Sequence, residues 1–156
     1  MKTLPLALLL LAGPVLPRDK TPPPAPAPIV ASVDGLPIGA LPKQDLPAKG
    51  CAAYLWTRGP SQALIAMATA DPATIRLTID GRVQDFAASA QNGAGGYGFS
   101  HTAEYKGGDV TATLDLTIAA DSNLAGGARI GDATLRIDRP GKDTLVVPAG
   151  GLIGCA

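Results

Sequence analysis

Apolar and polar residues alternate along much of the chain after Cys51, with the period of two that is typical of β-strands. The clearest case is the segment 109–120, and the segments 74–80 and 133–138 alternate in the same way. One face of such a strand packs in the core while the other meets solvent. The apolar face of 109–120 consists of Val110, Ala112, Leu114, Leu116 and Ile118.

Turn signals separate these segments. Asp80-Gly81 suits a two-residue hairpin turn, because both central residues of a type I′ turn need positive φ. Arg139-Pro140-Gly141-Lys142 fits a type II turn, with Pro second and Gly third. The apolar segment 62–70 is either a short helix or, as its length favours, a strand. Further strands are predicted over 52–57, 82–87, 97–105 and 143–147.

This pattern predicts an all-β fold: a small antiparallel β-sandwich or closed barrel of about eight strands. The glycine-rich segment 92–98 is predicted to be a loop. Its letters match G-x-G-x-x-G, but a dinucleotide site also needs a helix after the glycines, and 99–102 reads as extended. Tyr97 lies at the end of this loop and Phe99 directly follows it, and the two are the preferred candidates for an exposed contact surface.

The first 50 residues differ in composition from the rest. Lys2 precedes the apolar stretch 4–16, which is the order of a signal peptide. As a helix this stretch would cover roughly 20 Å, short of the roughly 30 Å that a membrane-spanning helix must cross. It is the only part expected to contact a membrane, and then only if it is not cleaved.

The segment 18–28 is rich in proline, prefers polyproline II and reads as a semi-rigid spacer. An irregular lead-in follows, with a short edge strand expected at 29–33. The predicted organisation is a signal peptide at 1–17, a Pro-rich linker and irregular lead-in at 18–50, and a single β domain at 51–156. The signal and linker region is expected to be disordered.

The two cysteines, Cys51 and Cys155, are expected to form one disulfide in an exported chain. Two buried free thiols are the alternative. A disulfide that closes a loop of about 100 residues is worth roughly 4.7 kcal/mol in the chain-entropy model. The expected disulfide and the export signal together predict a periplasmic or secreted protein of the bacterial envelope.

Charge and ligand chemistry narrow the function. Thirteen basic residues balance thirteen acidic ones, and no run of one sign could face phosphate, so nucleic acid is not an expected partner. Two distant cysteines and a single histidine are too few for a metal site, and no cofactor is expected.

His101 is the one histidine, and Ser89 or Ser100 with an aspartate could in principle complete a hydrolase. No G-x-S-x-G elbow accompanies them, and neighbours in a strand point to opposite faces. Tyr54 and Trp56 share one face of their strand. They are expected to pack in the core beside the disulfide, with a recognition surface at Trp56 as the alternative.

The leading functional prediction is a non-catalytic binding or structural module of the envelope, with an envelope protein or a small ligand as partner. The second is a periplasmic inhibitor or small-ligand-binding barrel, and the third is a hydrolase that uses His101. Small periplasmic inhibitors of lysozyme share this outline, but their Ser-Gly-rich, Lys-bearing loop motif is absent. Because the sequence shows no catalytic set of residues, a binding protein is favoured over an enzyme.

Overall fold

The computed structural model describes residue 25 and residues 28–156, and the regular elements in this part of the chain are all β-strands. The predicted signal peptide and most of the Pro-rich segment lie outside the described residues. Within that described part, no helix is long and apolar enough to cross a membrane. The strands are β1 (Ile38–Gly39), β2 (Cys51–Thr57), β3 (Leu64–Ala70), β4 (Ala73–Ile79), β5 (Arg82–Gly96), β6 (Phe99–Gly107), β7 (Val110–Ala120), β8 (Gly127–Asp138) and β9 (Leu145–Cys155).

Strands β2 to β9 form a closed antiparallel barrel. Each strand pairs with the next along the chain, and β9 pairs back with β2. This closing seam runs from the pair Cys51–Cys155 to the pair Thr57–Ala149. β1 is an extra strand beside β4. The prediction of an all-β fold of about eight strands is confirmed, and the architecture is the barrel.

The two ends of the barrel carry different connections. The upper end holds the β2–β3, β4–β5, β6–β7 and β8–β9 turns, and the lower end holds the disulfide with the remaining hairpin connections. Asp80 and Gly81 both have positive φ, at 50° and 71°, as the predicted type I′ turn requires. In the β8–β9 turn, the Lys142 N–H donates to the Arg139 carbonyl and Gly141 has a φ of 69°, as a type II turn requires.

Inward-facing apolar side chains fill the barrel, because alternate residues of every strand point to its axis. A cavity inside the barrel, beside Ala70 and Phe99, measures about 10 Å³, which is the space of one water molecule. Burial raises the pKa of Tyr105 in this interior to about 12. The interior is thus a packed core. It is built from side chains such as Leu55, Ile65, Ile75, Leu77, Phe86, Tyr105, Leu114, Leu135, Val147 and Ile153.

The hairpin of β5 and β6 is longer than predicted. The segment 92–98 is mostly strand: β5 continues to Gly96, and only Tyr97 and Gly98 form the turn, both with positive φ. The loop prediction is wrong because β6 supplies backbone partners for Asn92, Ala94 and Gly96, and this long-range pairing outweighs the low strand propensity of glycine. Register shifts after Ala88 and Ala94 mark bulges, which bend a strand.

The lead-in before Cys51 packs on the barrel. Val33 and Ile38 are buried in the main core at the upper end. The short strand lies at Ile38–Gly39 and not at 29–33, because Ile38 and Gly39 are the residues that pair with β4. The Val30 carbonyl accepts a hydrogen bond from the Ala40 N–H at 2.9 Å. That bond folds the lead-in back on itself.

Residues 40–46, here called the strap, then descend along the outer wall of β2, β3 and β4. Leu41 packs with Ala52 and Met67 in a small apolar cluster outside the barrel. The Tyr54 hydroxyl donates to the Asp45 carbonyl at 2.8 Å. The strap therefore covers apolar side chains that point away from the barrel axis.

Candidate functional site

The disulfide between Cys51 and Cys155 is present, as the sequence predicts. The two residues are also cross-strand partners, so the bond fastens the lower end of the closing seam. Among the described residues, no group of three His, Cys, Asp or Glu side chains could hold a metal ion. The two cysteines thus link β2 and β9 covalently.

Tyr97 and Phe99 have opposite environments at the tip of the long hairpin. Tyr97 is 39% exposed, whereas Phe99 is only 7% exposed and lies beside Ala103 and Leu114 at the lower end of the core. The expectation of an exposed Phe99 is wrong because the hairpin bends over the barrel end. A Cβ on Gly98 would stand 3.1 Å from the Cβ of Ala70, which shows how closely the turn approaches β3.

His101 is exposed on the same hairpin. The Ser100 hydroxyl donates to the Gln91 side chain at 3.0 Å, and the Ser89 hydroxyl donates to Glu104 at 2.9 Å. Among the described residues, no hydrogen bond reaches the His101 ring. The structure therefore does not bring these serines and the histidine together as a nucleophile and its base.

A groove lies on the outer wall above the closing seam, with a volume of about 640 Å³. We call it the Trp56 groove. Trp56 and Tyr54 point outward, with ring centroids 6.5 Å apart, so the expectation that they pack in the core is wrong. Ala53 and Leu55 occupy the inward positions of β2 instead. The groove is lined by Trp56, Thr57, Arg58, Gln62, Gly150, Gly151 and Leu152.

Two glycines form the floor of the Trp56 groove. Gly150 is the cross-strand partner of Trp56, so no side chain stands opposite the indole. A Cβ at Gly150 would lie 3.6 Å from Nη2 of Arg58, an ordinary contact distance. At Gly151, by contrast, a Cβ would collide with the Tyr54 carbonyl oxygen. The indole is partly exposed because the neighbouring strand has no side chain opposite it.

The polar rim of the Trp56 groove is held in place by Arg58. Its Nε donates to the Ala149 carbonyl at 3.1 Å, and its Nη2 donates to Asp132 at 2.8 Å and to the Gly131 carbonyl. Both ion-pair partners are more than half exposed. The guanidinium therefore has a fixed orientation, and the charge of Asp132 balances its own.

Gln62 completes the rim from the β2–β3 turn. Its φ is 44°, a left-handed conformation that a residue with a side chain seldom adopts. Its backbone N–H donates to the Gly59 carbonyl at 3.3 Å, while the residue itself is exposed at the groove. Backbone strain of this kind clusters at binding and catalytic sites.

A second concavity of about 270 Å³ lies at the upper end of the barrel. Its floor is apolar and includes Ile38, Ile79 and Ile137. On its rim, Arg139 forms ion pairs with Asp80 at 2.9 Å and with Asp109 at 3.0 Å, so it connects three turns. We call this concavity the upper cleft.

Of the residues that line the Trp56 groove, sequence reasoning named only Trp56. Leu152 was missed because its proximity to Trp56 depends on the pairing of β2 with β9, and Arg58 was missed because its partners Ala149 and Asp132 are distant in the sequence. A usable signal was the pair Gly150-Gly151 within a segment otherwise fit for a strand, since glycine inside a strand often marks close approach of a ligand or backbone. The chain matches no protein-family model, no curated protein and no solved structure.

Proposed function

We propose that this chain is a non-catalytic binding module of the bacterial envelope, periplasmic or secreted, which binds its partner at the Trp56 groove. The observation that supports this proposal is the partly exposed indole on a wall where Gly150 places no side chain opposite it. Tryptophan and arginine are enriched among the residues that carry binding energy at interfaces. The barrel interior is filled, which favours a binding surface outside it.

The proposed location draws on two features. The order of charge and apolar residues in 1–17 is that of a signal peptide. The disulfide is compatible with an oxidising compartment. In this proposal the Pro-rich segment 18–28 acts as a spacer that keeps the barrel away from the membrane or from its partner.

A second candidate is an inhibitor or small-ligand-binding barrel that uses the upper cleft. Its apolar isoleucine floor favours this function. Its volume lies just below the roughly 300–1,000 Å³ of typical small-molecule sites. We rank it second because none of the residues that line the upper cleft is aromatic, whereas aromatic side chains commonly carry binding energy.

The test is an in-cell crosslinking pull-down with the full chain, in which Trp56→Ala is compared with Tyr97→Ala. We expect one reproducible envelope partner, and a yield that falls about tenfold or more in Trp56→Ala, because truncating a central aromatic anchor commonly costs 2 kcal/mol or more. Tyr97→Ala should retain the partner.

Thr117→Val serves as a control, since Thr117 is exposed on the outer face of β7. Each variant is first checked for an unchanged melting curve. A partner that persists in Trp56→Ala and disappears in Tyr97→Ala would reject the Trp56 groove and place the surface on the hairpin tip.

A further inference from the structure

The Trp56 groove combines an aromatic face with several planar polar groups. The indole supplies an apolar surface, and Leu152, which is 42% exposed, supplies a second apolar contact. Arg58, Asp132 and Gln62 surround these surfaces with hydrogen-bonding atoms. A ligand that fits must be apolar on one side and rich in hydroxyl or amide groups at its edge.

A pyranose ring has this distribution of chemistry. Its axial C–H bonds form a weakly polar face that stacks on an aromatic ring, and its hydroxyls project from the edge, each as donor and acceptor. We infer that the Trp56 groove binds a neutral oligosaccharide, with one sugar ring stacked on the indole of Trp56. This inference rests on the proposed function and specifies the ligand as a carbohydrate chain of the envelope partner.

The polar rim can satisfy sugar hydroxyls from both sides. The N–H groups of Nε and Nη2 of Arg58 donate to Ala149, Gly131 and Asp132. Among the described residues Nη1 has no partner, so its two N–H groups can donate to a ligand. Asp132 accepts from Arg58 through Oδ1, and its second oxygen can accept from a hydroxyl. The Gln62 amide both donates and accepts. These planar groups suit pairs of adjacent hydroxyls.

The charges of the groove favour a neutral sugar chain. The Arg58 guanidinium is neutralised by Asp132 at 2.8 Å, so the groove offers no excess positive charge to an acidic polysaccharide. The groove is open along the wall, as binding to the interior of a long chain requires.

The experiment uses the intrinsic fluorescence of the full chain, because Trp56 is its only tryptophan. The probes are cellotetraose and chitotetraose, both neutral, with polygalacturonate as the anionic comparison. We expect a saturable change in Trp56 emission with at least one neutral probe and a weaker response to polygalacturonate. Arg58→Ala should weaken that binding by about tenfold, as expected for loss of a charge-assisted hydrogen bond.

Gly150→Val is the matched variant that blocks the groove while the indole remains as reporter. A Cβ at this position makes only ordinary contacts, and valine suits a strand, so the barrel should melt as the wild type does. The emission change should disappear in Gly150→Val and persist in Thr117→Val.

Two results would overturn the inference. One is an unchanged emission with both neutral tetrasaccharides; the other is a response that survives in Gly150→Val. If either is found while a crosslinked protein partner still depends on Trp56, the binding module stands and its ligand is a protein. If neither sugar nor protein binding depends on Trp56, the proposed function fails as well.

Discussion

Tyr97 occupies a backbone conformation that costs free energy. It stands at the first central position of a two-residue turn with a φ of 55°, where Asn, Asp and Gly are preferred. For an L-residue with a bulky side chain, the left-handed region is unfavourable by roughly 1–2 kcal/mol. The turn thus presents an aromatic ring to solvent at the expense of stability.

We therefore expect Tyr97→Asn to raise the free energy of unfolding by about 1 kcal/mol, since asparagine tolerates this conformation better. Urea denaturation measures the change as a higher midpoint at an unchanged slope. Ala94→Asn is the control, because Ala94 belongs to the same hairpin without positive φ and should give no gain. A midpoint that falls in Tyr97→Asn would show that the ring contributes packing that outweighs the strain.

For β2, sequence reasoning placed residues on faces but could not say which face was inside. Period-two alternation correctly puts Tyr54 and Trp56 on one face, yet Ala53 and Leu55 on the other face are also apolar. Which face turns outward depends on residues distant in the sequence: the strap covers Tyr54, and Gly150 leaves Trp56 open. No local pattern contains that information.

Among the elements, the strap is attached to the barrel wall by Arg76. This arginine forms a bidentate ion pair with Asp85 on β5, at 2.7 and 2.8 Å, and donates to the Gln44 side chain at 2.9 Å. The hydrogen bond from Arg76 lowers the pKa of Asp85 below its ordinary value. A carboxylate with a depressed folded-state pKa stabilises the fold above its unfolded pKa of about 3.9, and that contribution is lost as pH falls through the folded value.

Asp85→Asn should therefore reduce the free energy of unfolding at neutral pH by about 0.2–1 kcal/mol, the range for ion pairs exposed to this extent. The deficit should shrink as the pH is lowered below about 3.9, where the wild-type carboxylate becomes protonated as well. Chemical denaturation at neutral and acid pH measures both effects. An identical change in the exposed variant Asp143→Asn, or a deficit independent of pH, would contradict the assignment.

Local elements were predictable, and distant pairings were not. The Asp80-Gly81 turn and the turn at 139–142 depend on residues adjacent in the chain, and both were anticipated. The continuation of β5 through 92–96 depends on β6, and the extension of β9 to Cys155 depends on β2. The same dependence explains why the sequence left sandwich and barrel undecided, since only the pairing of β9 with β2 distinguishes them.

For the whole molecule, the disulfide and the closing seam act on the same pair of strands. The bond joins residues 104 positions apart, so it restricts nearly the whole domain in the unfolded state. The chain-entropy model assigns roughly 4.7 kcal/mol to a loop of about 100 residues. That amount is a large fraction of the 5–15 kcal/mol typical of a domain's stability.

Reduction should accordingly lower the melting temperature by more than about 10 °C, given about 4–8 °C per kcal/mol for a domain of this size. Calorimetry with and without reductant measures the shift, and the double variant Cys51→Ala/Cys155→Ala should reproduce it without reductant. We expect the seam to keep its backbone pairing in both cases, so the reduced chain should still unfold cooperatively. An unchanged melting temperature with both thiols free would contradict this role.

Closure of the barrel also affects whether separate molecules aggregate. Strand edges with unpaired backbone groups are templates on which sheets of separate molecules join and aggregate. In the described part of the chain, β2 and β9 pair along the seam and so present no open edge there, whereas β5 has no partner on its β4 side beyond Ala87. Closure therefore protects β2 and β9 from edge-to-edge aggregation, and that protection lasts as long as β9 stays paired with β2.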